Sequence, residues 1–285
     1  MADTEMAISK RTVLITGCSD GGLGAALAIA FHEAGLHVYA TARNPSKMTQ
    51  LKSLGIETLT LDVLSDSSIT ACVSKLSQLD ILVNNAGAGY SMPMSDLSIS
   101  EAKKLFDLNV WSYLAVTLAF LPLLLKSKGM IVNQTSAAGV APVPFQSTYN
   151  ASKAAMSMFS DTQRLELQPL GIRVVDLKTG GVKSNFFAKE SVVTQVSLPK
   201  GSIYEPAKEV IEKTMRGERF EDQEDAQLWA GRVVKDLLRK QPPPNIWRGA
   251  NAGLARIATI FPFGTFNGTL KKMSGLDIVE KILRE

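Results

Sequence analysis

From Arg11 onward, short runs of consecutive apolar residues alternate with longer segments whose apolar positions recur at helical spacing. The run Thr12–Ile15 predicts a fully buried strand, and Leu23–Ala34 predicts a helix closed by Gly35. Further strands are predicted at Leu36–Thr41, Glu57–Leu61, Asp80–Val83, Met130–Gln134 and Arg173–Leu177. Helices are predicted over Met48–Leu54, Asp66–Leu76, Glu101–Lys126 and Tyr149–Gln168. Strands apolar along their length, separated by helices, mean a parallel sheet covered on both faces, so the fold class is α/β and doubly wound. No shift in composition marks a linker, and only a short tail follows Pro242-Pro243-Pro244. Residues 1–285 therefore read as a single domain, with a flexible N-terminus over 1–10 and a C-terminal extension over 242–285.

Composition narrows the function. With 45% hydrophobic residues and a net charge of +4 in 285 residues, the chain can bury a large core and is not of disordered type. Its 31 basic and 27 acidic residues are interspersed, and the longest basic cluster is a pair such as Lys271-Lys272, so no nucleic-acid partner is expected. Cys18, Cys72, His32 and His37 are too few for a disulfide framework or a metal site, and reduced thiols point to the cytoplasm. Asp3 and Glu5 interrupt the N-terminus, which lacks the apolar core of a signal peptide.

Two apolar stretches bear on partners. Leu108–Leu125 is uncharged and at the lower edge of spanning length, but it holds Asn109, Ser112, Tyr113, Thr117 and Pro122. A helix buried between the sheet and a partner subunit is the better reading. Ile257–Leu270 is too short to span a bilayer and carries three phenylalanines; packing as core or substrate lid and contact with a membrane surface both remain open.

Candidate chemistry sits where predicted strands end. The loop Thr16-Gly17-Cys18-Ser19-Asp20-Gly21-Gly22-Leu23-Gly24 joins the first strand to the first helix, the place where glycines let a backbone approach a pyrophosphate. The second strand ends at Arg43 with no acid, and Lys47 follows, which favours a 2′-phosphate and hence NADPH. Asp20 pulls the other way by crowding that phosphate. Asp62 and Asn84-Asn85-Ala86-Gly87 follow the third and fourth strands. Tyr149 and Lys153, four apart on a helix, share one face, where a cation favours phenolate and draws the tyrosine toward acid–base work. Ser136 closes the fifth strand, placed to hold a carbonyl oxygen.

In this order and spacing the residues resemble the short-chain dehydrogenase/reductase superfamily, with a Rossmann-like sheet, from Thr12 to about Ser184. The glycine loop, the strand HVYATAR and the segment IWRGANAGLARI look most like fungal NADPH-dependent 1-acyldihydroxyacetone-phosphate reductase-like and 17β-hydroxysteroid dehydrogenase-like members. The resemblance implies that Tyr149 gives its proton to a substrate carbonyl, Lys153 tunes the tyrosine and holds ribose hydroxyls, and Ser136 orients the carbonyl. It implies that Asn109 holds a relay water through its helix backbone. Gly17, Ser19, Gly22 and Leu23 would surround the pyrophosphate and Arg43 the 2′-phosphate. Asp62 and Val63 would face adenine, Asn85, Ala86 and Gly87 the ribose region, and Val182 with Ser184 the carboxamide.

Two departures stand out. The loop has an extra residue around Gly21-Gly22-Leu23-Gly24, and Thr179-Gly180-Gly181 replaces the usual Pro-Gly, which should loosen that turn. Residues 185–241 would form a substrate lid, with Phe186, Phe187, Trp229, Met92 and Phe145 lining an apolar pocket. The expected substrate is a bulky ketone or its alcohol. It is either an acyl ketone phosphate held by Lys178, Lys183 or Lys189, or a polycyclic ketone of fungal secondary metabolism. The resemblance implies a homodimer or homotetramer packed through the long uncharged helix, and the expected setting is cytoplasmic or peripheral to endoplasmic reticulum or lipid droplets. The rival readings are a non-redox scaffold or cyclisation catalyst and a lipid-surface protein.

Overall fold

A computed structural model describes residues 10–185, 197–220 and 222–284. Strands β1 (Thr12–Ile15), β2 (His37–Ala42), β3 (Glu57–Thr60), β4 (Ile81–Asn84), β5 (Met130–Ser136), β6 (Arg173–Thr179) and β7 (Asn245–Arg248) form one sheet. Their order is β3-β2-β1-β4-β5-β6-β7, and every pair is parallel. The helices are α1 (Leu23–Glu33), α2 (Thr49–Ser53), α3 (Asp66–Val73), α4 (Ile99–Phe106), α5 (Ser112–Ser127), α6 (Ser147–Leu167), α7 (Lys208–Met215), α8 (Ala226–Leu237), α9 (Ala252–Ala258), α10 (Asn267–Ser274) and α11 (Leu276–Ile282). A short π-helical turn, Asp107–Trp111, joins α4 to α5.

Strand β1 shows why both faces are covered: Val13 and Ile15 join one apolar cluster and Leu14 the other. Cys18 and Cys72 lie in these separate clusters. The predicted strands up to β6 and the helices between them fall where the residue pattern places them, within a few residues at their ends.

Past β6 the expectation of a lid over 185–241 gives way where Ala226–Leu237 forms a helix of the core, while residues 186–196 and 221 lie outside the described residues. A further parallel strand, β7, pairs with β6, and such a pairing needs a crossover helix. Helix α8 serves that role: Trp229, Ala230, Val233, Val234 and Leu237 are buried in the cluster that also holds α1. Trp229 is thus core, not pocket wall. Four residues preceded by three prolines give β7 no run long enough to register as a strand.

Strand β6 carries a buried ion pair. Asp176 is fully buried, accepts a hydrogen bond from Thr135 Oγ1 and pairs with Lys178. Lys178 Nζ also donates to Ser157 Oγ at 3.0 Å and lies 5.5 Å from the Trp247 ring centre. Lys178 is therefore not available to a substrate phosphate. Removing the carboxylate would leave its ammonium uncompensated in the interior. Asp176→Ala should lower the unfolding free energy by about 3–5 kcal/mol, measured by denaturant titration, and the double variant Asp176→Leu with Lys178→Met should recover most of that loss. A single variant as stable as the parent would show that the pair is dispensable.

Candidate active site

Reversal of strand order between β1 and β4 leaves a crevice at the carboxyl edge of the sheet. A groove of about 1060 Å³ occupies it. Gly17, Ser19, Gly22, Leu23, Arg43, Asp62, Val63, Asn85, Ala86, Gly87, Ser136, Tyr149, Lys153, Val182 and Ser184 all line this groove, so the structure gathers these predicted residues in one place. Asn109 does not line it.

The glycine loop is built for close approach. Gly17 adopts φ +75°, and a Cβ there would come within 2.8 Å of the Ala86 backbone. A Cβ at Gly24 would lie 2.6 Å from the Gly17 carbonyl oxygen, so the first turn of α1 can sit on the loop only without a side chain. Gly22 is the N-cap, which settles the extra-residue ambiguity: Gly17 turns the chain, Gly22 opens the helix and Gly24 packs it. The cap has no side-chain acceptor and the first turn no acid, so the positive end of an eleven-residue helix faces the groove open. Asp20 does not crowd that space. Its Oδ2 accepts from Thr49 N and Oγ1 at 2.9 and 2.8 Å, at the start of α2.

Thr16 and Asn85 latch the two loops flanking the crevice. Thr16 Oγ1 accepts from the Asn85 and Ala86 amides, both at 2.9 Å, and Asn85 Nδ2 donates to Thr16 O at 2.7 Å. Arg43, Asn44 and Lys47 line the groove beyond β2, beside Asp62 and Val63 beyond β3. This set fits a dinucleotide with a phosphate on its adenosine: open helix amides for the pyrophosphate, two cations and no acid directly after β2.

Ser136, Tyr149 and Lys153 stand farther along. Ser136 Oγ donates to Thr179 O at 3.3 Å, accepts from Ala138 N at 3.1 Å and shares a hydrogen bond with Tyr149. Lys153 is 4% exposed and donates to Gln134 O at 2.9 Å. Burial pulls its pKa down to about 8, and the Asp176 carboxylate works against that fall. For Tyr149 the lysine is not the deciding influence. Burial pushes its phenol above the ordinary value, and the bond with Ser136 works against that rise. The Lys153 ammonium lies 5.9 Å from the centre of the Tyr149 ring and 5.4 Å from that of Tyr113, tied to a carbonyl.

The polar support was only partly visible in the sequence. Tyr113 donates to the same Gln134 carbonyl at 3.2 Å, and only the fold brings α5 and α6 against β5 at that point. Asn109 is fully buried and its side chain is committed. Nδ2 donates to Ala88 O at 3.0 Å and Ser152 Oγ at 3.1 Å, and Oδ1 accepts from Ala88 N at 3.0 Å. It clamps the loop after β4 to α6 from within a π-helical turn of the kind often found at functional sites.

The substrate end has a different wall from the one expected. Met92 is buried and Phe145 partly buried in a separate cluster, and neither lines the groove. Phe186, Phe187 and Lys189 lie outside the described residues. The wall comes instead from Val140, Val143, Phe220, Leu254, Phe263 and Met273. Nor is the turn after β6 loose. Gly181 exchanges two backbone hydrogen bonds of 2.9 Å with Ala250, and Gly180 N donates to Arg248 O at 2.8 Å. A Cβ at Gly180 would overlap the Ala250 carbonyl oxygen, so glycine is what lets the C-terminal segment strap this turn.

A model of the short chain dehydrogenase family matches residues 11–195. A short-chain dehydrogenase/reductase of Pestalotiopsis microspora is 58% identical over 98% of this chain and 99% of its own length. The NADPH-dependent 1-acyldihydroxyacetone phosphate reductase of Schizosaccharomyces pombe is 36% identical, covering 92% of this chain and 94% of its own. Among solved structures, a short chain dehydrogenase of Burkholderia cenocepacia in complex with NADP aligns with a TM-score of 0.72 at 22% identity, over 93% of this chain and 99% of that one. The chain belongs to the short-chain dehydrogenase/reductase family of oxidoreductases.

Proposed function

We propose that this enzyme is an NADPH-dependent reductase that delivers hydride to the carbonyl of a bulky, apolar, uncharged ketone, with Tyr149 as general acid. The observation that carries the reading is one continuous groove. It runs from Arg43 and Lys47, through the open end of α1, to Ser136, Tyr149 and Lys153, and on to an apolar wall. When bound, the nicotinamide supplies the hydride. Ser136 and Tyr149 then hold the carbonyl oxygen, and the Tyr149 hydroxyl passes its proton to that oxygen as negative charge develops there. A phenol raised by burial is fully protonated at neutral pH, the state a general acid must hold. The Lys153 ammonium beside it stabilises the phenolate left behind.

NADP in the Burkholderia complex and NADPH in the name of the Schizosaccharomyces relative support the cofactor choice. That relative's name also speaks for an acyl ketone phosphate, but the substrate end argues for a neutral ketone. Past Lys153, the described residues lining the groove include no lysine or arginine, whereas Asp222 is among them. Lys178 is buried in its ion pair, and Lys183 is not part of the lining.

The apolar face of α5 and α6 supports the oligomer. The run Ile99–Ser127 is long and apolar enough to cross a membrane by length and composition alone, yet half of its most apolar window is buried. Tyr113, Val116, Phe120 and Leu124 are buried, while Trp111, Leu118 and Leu125, spaced by sevens, are exposed. Met158 and Leu165 continue this exposed surface on α6, where Phe159 meets Trp111 edge-on. A second copy of the chain covers it in this reading.

Three outcomes are expected. Tyr149→Phe should lower kcat for ketone reduction by about 10²–10⁴, and kcat/KM in the parent should fall as pH rises through about 8, where Lys153 loses its proton. Unchanged turnover in the variant would remove Tyr149 from the role of acid. Arg43→Leu should raise KM for NADPH about tenfold with little effect on NADH, read by initial rates; equal effects on both cofactors would remove the 2′-phosphate contact. Leu118→Arg combined with Leu165→Arg should turn the oligomer into a monomer in sedimentation equilibrium, and an unchanged mass would place the interface elsewhere.

A further inference from the structure

The C-terminal segment around α9 has two apolar faces with different surroundings. Leu254, Ala258 and Phe263 line the catalytic groove. Ile257, Ile260 and Phe261 do not; they point outward and are 52%, 80% and 48% exposed. Phe261 meets Phe266 of the groove wall edge-on at 5.6 Å, so the outward tip is braced against the wall behind it. A cluster of large side chains left in water at the mouth of a groove marks a contact surface.

Charge identifies what meets it. From Leu237 to Leu276 the chain has no aspartate or glutamate, but it has Arg239, Lys240, Arg248, Arg256, Lys271 and Lys272. Arg239 and Arg248 are held by Asp236 and Lys271 by Glu280. Arg256, next to Ile257, and Lys272 are exposed and make no ion pair among the described residues. A second copy docking by this tip would set these cations against their own images. An anionic bilayer offers what both features need: acyl chains for isoleucine and phenylalanine, and headgroup charge for arginine and lysine.

We propose that the face formed by Ile257, Ile260 and Phe261 docks on an anionic lipid surface, with Arg256 and Lys272 on its headgroups, setting the mouth of the groove against the bilayer. The docking does not rest on the proposed reaction; only the use of the groove mouth does. Ile257, Ile260 and Phe261 belong to neither the catalytic nor the cofactor set, so they can be changed without touching either.

The test is co-sedimentation of the full chain with phosphatidylcholine–phosphatidylserine vesicles and with pure phosphatidylcholine vesicles. The parent should bind the acidic vesicles and bind the neutral ones far more weakly. Ile257→Asp with Ile260→Asp should weaken binding to the acidic vesicles about tenfold or more while the circular dichroism spectrum and Tm hold. Arg256→Gln and Lys272→Gln should each weaken it about fivefold. A parent that stays in the supernatant, or an aspartate variant that sediments as the parent does, would overturn the proposal. So would a parent that self-associates without vesicles and is dispersed by the aspartate changes, since the tip would then be a contact between copies.

Discussion

Parallel strands all end at the same edge of the sheet, and the rest of the structure depends on that constraint. With the order β3-β2-β1-β4-β5-β6-β7, the connections leaving β1 and β4 diverge to opposite sides, and the gap between them cannot be closed by backbone. The glycine loop, the latch of Thr16 on Asn85 and Ala86, and Ser136 at the end of β5 all face that gap because each lies at the carboxyl end of a strand. The positive end of α1 opens there for the same reason.

The Tyr149 and Lys153 pair rests on a second layer beneath it. Lys153 is held by the Gln134 carbonyl, and the buried Asp176 carboxylate limits how far burial can lower its pKa. Asp176 is itself fixed by Thr135 and Lys178. Strand β6, which looks like a structural strand of the sheet, therefore carries the charge that helps keep the Lys153 ammonium protonated. On the other side Asn109 ties the Ala88 backbone to Ser152, one residue before Lys153. Fold stability and site electrostatics share these groups.

The C-terminal segment joins the site to its surroundings. Its backbone straps the turn after β6 through Gly180, Gly181 and Ala250, and it supplies wall to the groove. The two readings that its sequence left open, a lid and a surface contact, are not exclusive once its faces are separated. Leu254, Ala258 and Phe263 line the groove, and Ile257, Ile260 and Phe261 lie outside it in solvent.

Alternation of apolar runs and amphipathic segments determined the sheet class and the order of elements through β6, because each strand buried on both faces must be apolar along its whole length. The spacing likewise put Gly17, Arg43, Asp62, Asn85 and Ser136 at strand ends, and all five line the groove, since the residues next after each strand are set by the chain itself. The sequence did not reveal what depends on neighbours distant along the chain. Burial, not the nearby lysine, dominates the Tyr149 phenol, and Lys178 is consumed by Asp176. Trp229 went into the core because a parallel β7 required a crossover helix, and Asn109 became a clamp because Ala88 and Ser152 converge on it. Periodicity records which side of an element is apolar; only the tertiary structure decides which charges and hydrogen-bonding groups that side will meet.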